Sequence, residues 1–171
     1  MNLELVGTFD YDGSSNLFVV DNVFTSDYDN YFVSMNYLSI NGNRNPSLSL
    51  LDSSGTTVST NYTYIWRLLR SFTVKGATSG TLIGAANYIP SYFINDGNQW
   101  ASGRLYFHQP ASSSYTTMST YGGADMVSSN NMTSTQGFAI CERNEVHRGF
   151  QINVNAANVF TGGQIIVYGI K

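Results

Sequence analysis

This sequence predicts an all-β fold, an antiparallel β-sandwich that is jelly-roll-like and has roughly eight to ten strands. Three observations carry that expectation. The first is composition: Ser, Thr, Asn and Gly fill 70 of the 171 positions, aromatics make up 14% and charged residues only 11%. Ser, Thr and Asn compete for backbone hydrogen bonds and Gly weakens helix interiors, whereas Tyr, Phe, Val and Thr suit a pleated surface. The second is punctuation, since turn-forming clusters recur at short intervals along most of the chain. The third is the run Phe160-Thr161-Gly162-Gly163-Gln164-Ile165-Ile166-Val167-Tyr168-Gly169-Ile170-Lys171. It reads as a Gly-Gly turn feeding a strand in which Ile165, Val167 and Gly169 alternate with Ile166, Tyr168 and Ile170. Both faces of that strand are largely apolar, so it belongs in a sandwich, or in a sheet that packs against a neighbouring subunit.

Taken in order, strands are expected over residues 3–11, 17–24, 31–40 and 48–51. Asp12-Gly13-Ser14-Ser15, Thr25-Ser26-Asp27-Tyr28 and Asn41-Gly42-Asn43-Arg44 separate them. Asn41-Gly42 is a hairpin signal, because Asn and Gly tolerate the positive φ of a tight turn. Asp52-Ser53-Ser54-Gly55 supplies another turn before a strand over 56–60. Residues 64–70 are ambiguous between one or two helical turns and a strand of a longer ribbon over 62–75, and the β-rich flank Ser71-Phe72-Thr73-Val74 favours strand. Further strands are expected over 82–86, 103–108, 115–120, 137–142, 148–155 and 164–170. Pro46, Pro90 and Pro110 fall in loops or at strand ends, as a sheet requires. With 171 residues and no linker-like block, one domain spanning residues 1–171 is expected.

Charge bounds the partners. The net charge is −3, and the eight Lys and Arg residues are too scattered to form a phosphate-tracking stripe, so no nucleic acid is expected. No run approaches the roughly 18 apolar residues of a membrane span, and no membrane insertion is expected. The first residues, Met1-Asn2-Leu3-Glu4-Leu5, lack the basic and apolar regions of a secretory signal. Cys141 is the only cysteine, which excludes an intramolecular disulfide and reads as a small buried hydrophobe.

Motifs of catalysis are not signalled. Cys141, Glu142, Glu145 and His147 lie within seven positions, but Glu142-Arg143-Asn144-Glu145 reads as a polar hairpin connection. With two His in the chain, a multi-His metal centre cannot form within one subunit, and His108 reads as a structural histidine at a strand end. Asp10-Tyr11-Asp12-Gly13 and Asp27-Tyr28-Asp29-Asn30 offer carboxylates for calcium, yet neither continues as a calcium loop, and turn capping explains both. No cofactor and no metal is therefore expected. Twelve Tyr and two Trp exceed what the core can bury with every polar tip satisfied. Tyr88, Tyr92, Trp100, Tyr115 and Tyr121 are the candidates for exposed contacts with protein or glycan, and residues 109–123 read as an adaptable Ser-, Tyr- and Gly-rich loop.

Four stretches in succession carry a resemblance. They are Asn22-Val23-Phe24-Thr25-Ser26-Asp27-Tyr28-Asp29-Asn30-Tyr31-Phe32-Val33; Leu50-Leu51-Asp52-Ser53-Ser54-Gly55-Thr56 followed by Asn61-Tyr62-Thr63-Tyr64; Gly103-Arg104-Leu105-Tyr106-Phe107-His108-Gln109-Pro110; and the closing run from Gly162. Their order resembles a virion structural module of tailed bacteriophages, of the marine and cyanophage kind, found in tail-fibre C-terminal domains and small capsid decoration proteins. The resemblance implies a non-enzymatic role in the virion, partners among other capsid or tail proteins, and a homo-oligomer, with a trimer as one closure. It carries no catalytic residues. A first strand beginning at Leu3 favours a decoration or knob-like protein over a fibre with an anchoring shaft. The alternative it implies is a receptor-binding module that recognises host cell-surface glycan; a depolymerase ranks third.

Overall fold

The computed structural model describes residues 2–11, 13, 15–41, 46–72, 76–86, 89–90, 101–126, 131–154 and 159–171. Of these, 68–72, 76–86, 89–90, 123–126 and 131–133 are described by their backbone alone. Among the described residues twelve strands form and no helix. They are β1 (Leu3–Asp10), β2 (Leu17–Val20), β3 (Asn30–Ile40), β4 (Ser47–Asp52), β5 (Tyr62–Phe72), β6 (Gly76–Ala86), β7 (Ile89–Pro90), β8 (Ala101–His108), β9 (Thr116–Met126), β10 (Asn131–Cys141), β11 (His147–Asn153) and β12 (Phe160–Ile170). The antiparallel β-sandwich holds: one sheet runs β1-β12-β3-β8-β9-β10-β5-β6 and the other β2-β11-β4-β7. Setting aside β5, β6, β9 and β10, successive strands alternate between the two sheets except at β4 and β7, which pair with each other in the smaller one, the winding of a jelly roll. The four remaining strands extend the first sheet to eight.

The core lies between the sheets, and along much of β3, β8 and β12 every second residue enters it. In β3, Tyr31, Val33 and Met35 are buried, and in β8, Ala101, Leu105 and Phe107; in β12 the same holds for Ile165 and Val167. Phe150 and Ile152 meet them from β11. Phe24, Tyr31, Phe107 and Phe150 form one aromatic knot, with ring centroids 4.8 to 6.0 Å apart. Tyr11, Phe18 and Phe160 form another, at 5.3 to 6.0 Å. The polar tips are satisfied locally. Thr25 N–H donates to Tyr31 Oη at 2.6 Å, which donates to Thr25 O at 2.8 Å. Leu50 N–H donates to Tyr62 Oη at 2.9 Å, and that hydroxyl donates to Val58 O at 3.1 Å.

Several expectations are corrected. Gly162-Gly163 is a bulge inside β12, not a turn before it: the register with β3 shifts on both sides of Gly162, and Gly163 has φ +138°. The Asn41-Gly42 signal does not make a hairpin, because β3 and β4 lie in different sheets; the tip at 42–45 is outside the described residues. Glu142–Glu145 likewise bridges the sheets, from β10 to β11. The strand expected over 56–60 reduces to a single bridge, Leu51 to Thr57. Its turn is as expected: Asp52 Oδ1 accepts Ser54 N–H at 2.8 Å and Thr56 N–H at 2.9 Å, with Gly55 at φ +85°. Residues 62–72 are strand, as favoured, and residues 116–123 of the expected adaptable loop belong to β9.

Candidate functional site

Consecutive large apolar residues on one strand cannot all enter one core, because successive side chains point to opposite faces. Tyr31-Phe32-Val33, Leu105-Tyr106-Phe107 and Ile165-Ile166-Val167-Tyr168 therefore send Phe32, Tyr106, Ile166 and Tyr168 to the outer face of the eight-stranded sheet. Register lines them up. Leu5 pairs with Tyr168, Tyr168 with Phe32, Phe32 with Tyr106, Tyr106 with Ser119, Ser119 with Phe138, and Phe138 with Ile65. The result is one row across seven strands, apolar except at Ser119 on β9. Phe32 lies 5.0 Å from Tyr106 and 5.9 Å from Tyr168 between ring centroids, so the middle of the row is a self-supporting aromatic strip. Its ends stand out into solvent, with Leu5 63%, Ile65 46% and Phe138 44% exposed.

One row further along, Ile166, Ser34, Arg104, Tyr121, Gln136 and Arg67 are aligned in the same way. Gln136 Nε2 donates to Tyr121 Oη at 2.8 Å. Hollows lie on both sides of the Tyr121 ring. One of about 670 Å³ is bounded by Ser34, Asn36, Ser102, Arg104, Tyr106 and Tyr121; the other, of about 500 Å³, by Ile65, Arg67, Ser119, Tyr121, Gln136 and Phe138. Gly122 floors the first and Gly137 the second. Gly137 is required there for a packing reason, since a Cβ at that position would fall 2.1 Å from Trp66 Cε3. The Trp66 ring packs this close to β10 only because position 137 carries no side chain.

Of the aromatic candidates read from the sequence, Tyr121 belongs to this face. Tyr115 is also exposed but sits at the β8–β9 connection, roughly 20 Å along the strand direction from Tyr121. Tyr88, Tyr92 and Trp100 lie outside the described residues. Phe32, Tyr106, Tyr168, Phe138, Ile65 and Arg104 were missed, although runs of adjacent bulky residues signal a strand covered on both faces.

The Cys141–His147 stretch converges differently from the sequence reading. Cys141 on β10 and His147 on β11 face each other across the two sheets, with Sγ 4.0 Å from Nε2. His147 Nδ1 is 2.9 Å from Thr116 Oγ1, and Glu145 Oε1 is 3.5 Å from Nε2. Burial pushes the thiol pKa up to about 11. Burial, with help from the Arg143 charge, lowers the imidazole to about 4. Both groups are thus neutral near pH 7, the reverse of the thiolate–imidazolium pair a cysteine nucleophile needs. His108 is exposed, with Nδ1 3.1 Å from Asn30 Oδ1. Among the described residues no group of three His, Cys, Asp or Glu is placed to hold a metal ion. Of the Asp pairs, Asp10 accepts from Gln164 and Asp27 from Thr25, while Asp12 is outside the described residues.

What fold and face define together is a jelly-roll-like sandwich that presents an aromatic sheet surface to its surroundings. In comparisons with known proteins, no family model and no curated protein matches the chain.

Proposed function

We propose that this chain is a non-enzymatic structural protein of a tailed-phage virion, a surface decoration or knob-like protein that works by assembly through the outer face of its large sheet. The observation that carries the reading is the apolar row from Leu5 to Ile65. Soluble monomers rarely expose a contiguous patch of that extent, and such patches mark contact surfaces. A low charge content and a face built of Tyr, Phe, Ile, Ser and Gln fit a protein–protein contact. The four-part sequence resemblance gives the setting, and partners would be other capsid or tail proteins.

A second reading is favoured by one feature. The hollow beside Tyr121 combines two tyrosine rings with Arg104, Asn36 and serine hydroxyls, the mixture of stacking and hydrogen-bonding groups that receives a sugar. A host-glycan receptor module would use it. Co-sedimentation separates the two. Saturable binding to phage particles without binding to host cells supports the structural role; saturable binding to cells, lost when surface glycans are stripped, supports the receptor module and overturns the structural one.

A further inference from the structure

We infer that the row formed by Arg104, Tyr121 and Arg67 binds an acidic glycan, a sugar chain whose carboxylates are far enough apart to meet both arginines at once. The inference rests on the receptor reading of the hollow beside Tyr121 and names what that reading leaves open, the charge of the sugar and the length of chain the face accepts.

Unanswered charge is the first argument. Of the described Lys and Arg side chains, Arg143 is held by Glu145, Arg148 by Asp21 and Lys171 by Glu4, at 2.7 to 2.9 Å. Arg104 and Arg67 differ: both are exposed, and among the described residues neither has a carboxylate partner. Nor does any described Asp or Glu bound either hollow. In a chain of net charge −3, two hollows that hold arginines and no acid are a local draw for anions. A neutral occupant would strip water from both guanidiniums and give nothing in return, whereas a carboxylate accepts two parallel N–H bonds from each.

The lining is the second argument. In the larger hollow Tyr106 and Tyr121 bring rings, Arg104 a cation, and Ser34, Asn36 and Ser102 small polar groups. Ser34 Oγ donates to Asn36 Oδ1 at 3.0 Å, which leaves the Asn36 amide its N–H donors; Tyr121 Oη, accepting from Gln136, keeps its own proton to give. An acidic pyranose answers all of these, with an apolar C–H face for a tyrosine ring, hydroxyls for the amide and serines, and a carboxylate for the arginine. An extended acidic peptide would answer the arginines but has no flat apolar face to lay on Tyr121.

Spacing is the third. Register places Arg104, Tyr121, Gln136 and Arg67 on four successive strands, so the two arginines stand three strand spacings apart, about 14 Å. Tyr121 borders both hollows. One sugar reaches one arginine, while a chain laid across β8, β9, β10 and β5 passes over Tyr121 and reaches both. The ligand is therefore a polymer with repeated acid groups, held at two points more tightly than at either alone.

The test is isothermal titration calorimetry of the full-length protein with polygalacturonate, alginate and polysialic acid, against methyl-esterified pectin and dextran as neutral controls. At least one acidic polymer should bind saturably and neither neutral one should, with affinity falling between about 0.05 and 0.5 M NaCl. Arg104→Gln and Arg67→Gln should each weaken binding about tenfold, the worth of one charge-assisted contact. Leu5→Ser, at the far end of the apolar row, should leave it unchanged. Both arginines are exposed, so far-UV circular dichroism of their variants should match the wild type. Equal binding of acidic and neutral polymers, or wild-type affinity in Arg104→Gln, would overturn the inference. So would polyglutamate binding as tightly as the glycans, which would assign the arginines to an acidic protein partner. Host cells separate this failure from that of the receptor reading. Cells that bind the protein through their glycans, and bind it equally well after their surface carboxylates are esterified, keep the receptor reading and overturn the acidic class; if neither cells nor polymers bind, both fall.

Discussion

Lowering the pH should unfold this protein through His147. In the unfolded chain the imidazole has its ordinary pKa of 6.5, and in the folded chain burial holds it near 4. Between those values the unfolded state binds a proton that the folded state refuses, so stability is complete above about pH 6.5 and falls as pH drops toward 4. Each unit of difference is worth about 1.4 kcal/mol, so the loss between pH 7.5 and pH 4.5 is about 2.5 kcal/mol, a large fraction of a typical domain's stability. Glu4 and Asp52, whose carboxyls are held below their usual range by Lys171 and by Ser54 respectively, titrate largely below that window. Urea unfolding at the two pH values, at one protein concentration, measures the drop. His147→Gln keeps a polar partner for Thr116 and should be less stable at pH 7.5 but nearly flat to pH 4.5. A wild type whose stability does not change over this range, or a variant that loses as much as the wild type, would refute the reasoning.

Three further outcomes are expected. Gly137→Ala drives a Cβ to 2.1 Å from the Trp66 ring and should cost about 1 to 3 kcal/mol in urea unfolding, with a shift in tryptophan emission; an unchanged midpoint would mean that β10 and Trp66 do not pack this closely. Tyr62→Phe leaves the buried Leu50 N–H without its acceptor and should cost about 1 to 3 kcal/mol, whereas a neutral result would show that water reaches that site. Cys141 should resist a thiol-specific disulfide reagent at pH 8 in the native state and react fully in denaturant, because the thiol is buried and its pKa is raised; rapid native reaction would contradict the closed core at β10 and β11.

Where the sequence alternates, its strands were legible. Tyr31 to Met35, Leu105 to Phe107 and Phe150 to Ile152 put every second residue into the core, and β3, β8 and β11 follow within two residues of expectation. Alternation fails along Thr116–Met126 and Asn131–Cys141, where Ser, Thr and Gly dominate, so the full lengths of β9 and β10 were not visible. Those strands are fixed by pairing with β8 and β5, a tertiary cause that local pattern does not report. Beyond Val20 the apolar Val23 and Phe24 invite a longer strand, yet the chain leaves the sheet: Asn22 takes φ +56°, and Phe24 turns into the core against Tyr31. The candidate face was legible only in part. Its composition announced surplus aromatics, but which of them share a face depends on register across seven strands, and register is set by bulges such as the one at Gly163.

The central claim is that the outer face of the large sheet is buried when the protein does its work. Its most direct test is the occupancy of wild-type and Phe138→Asp protein on tailed-phage particles that bind the wild type, measured by co-sedimentation. The account predicts saturable wild-type binding and at least a tenfold loss for a variant that remains folded. Equal occupancy of the two would contradict it.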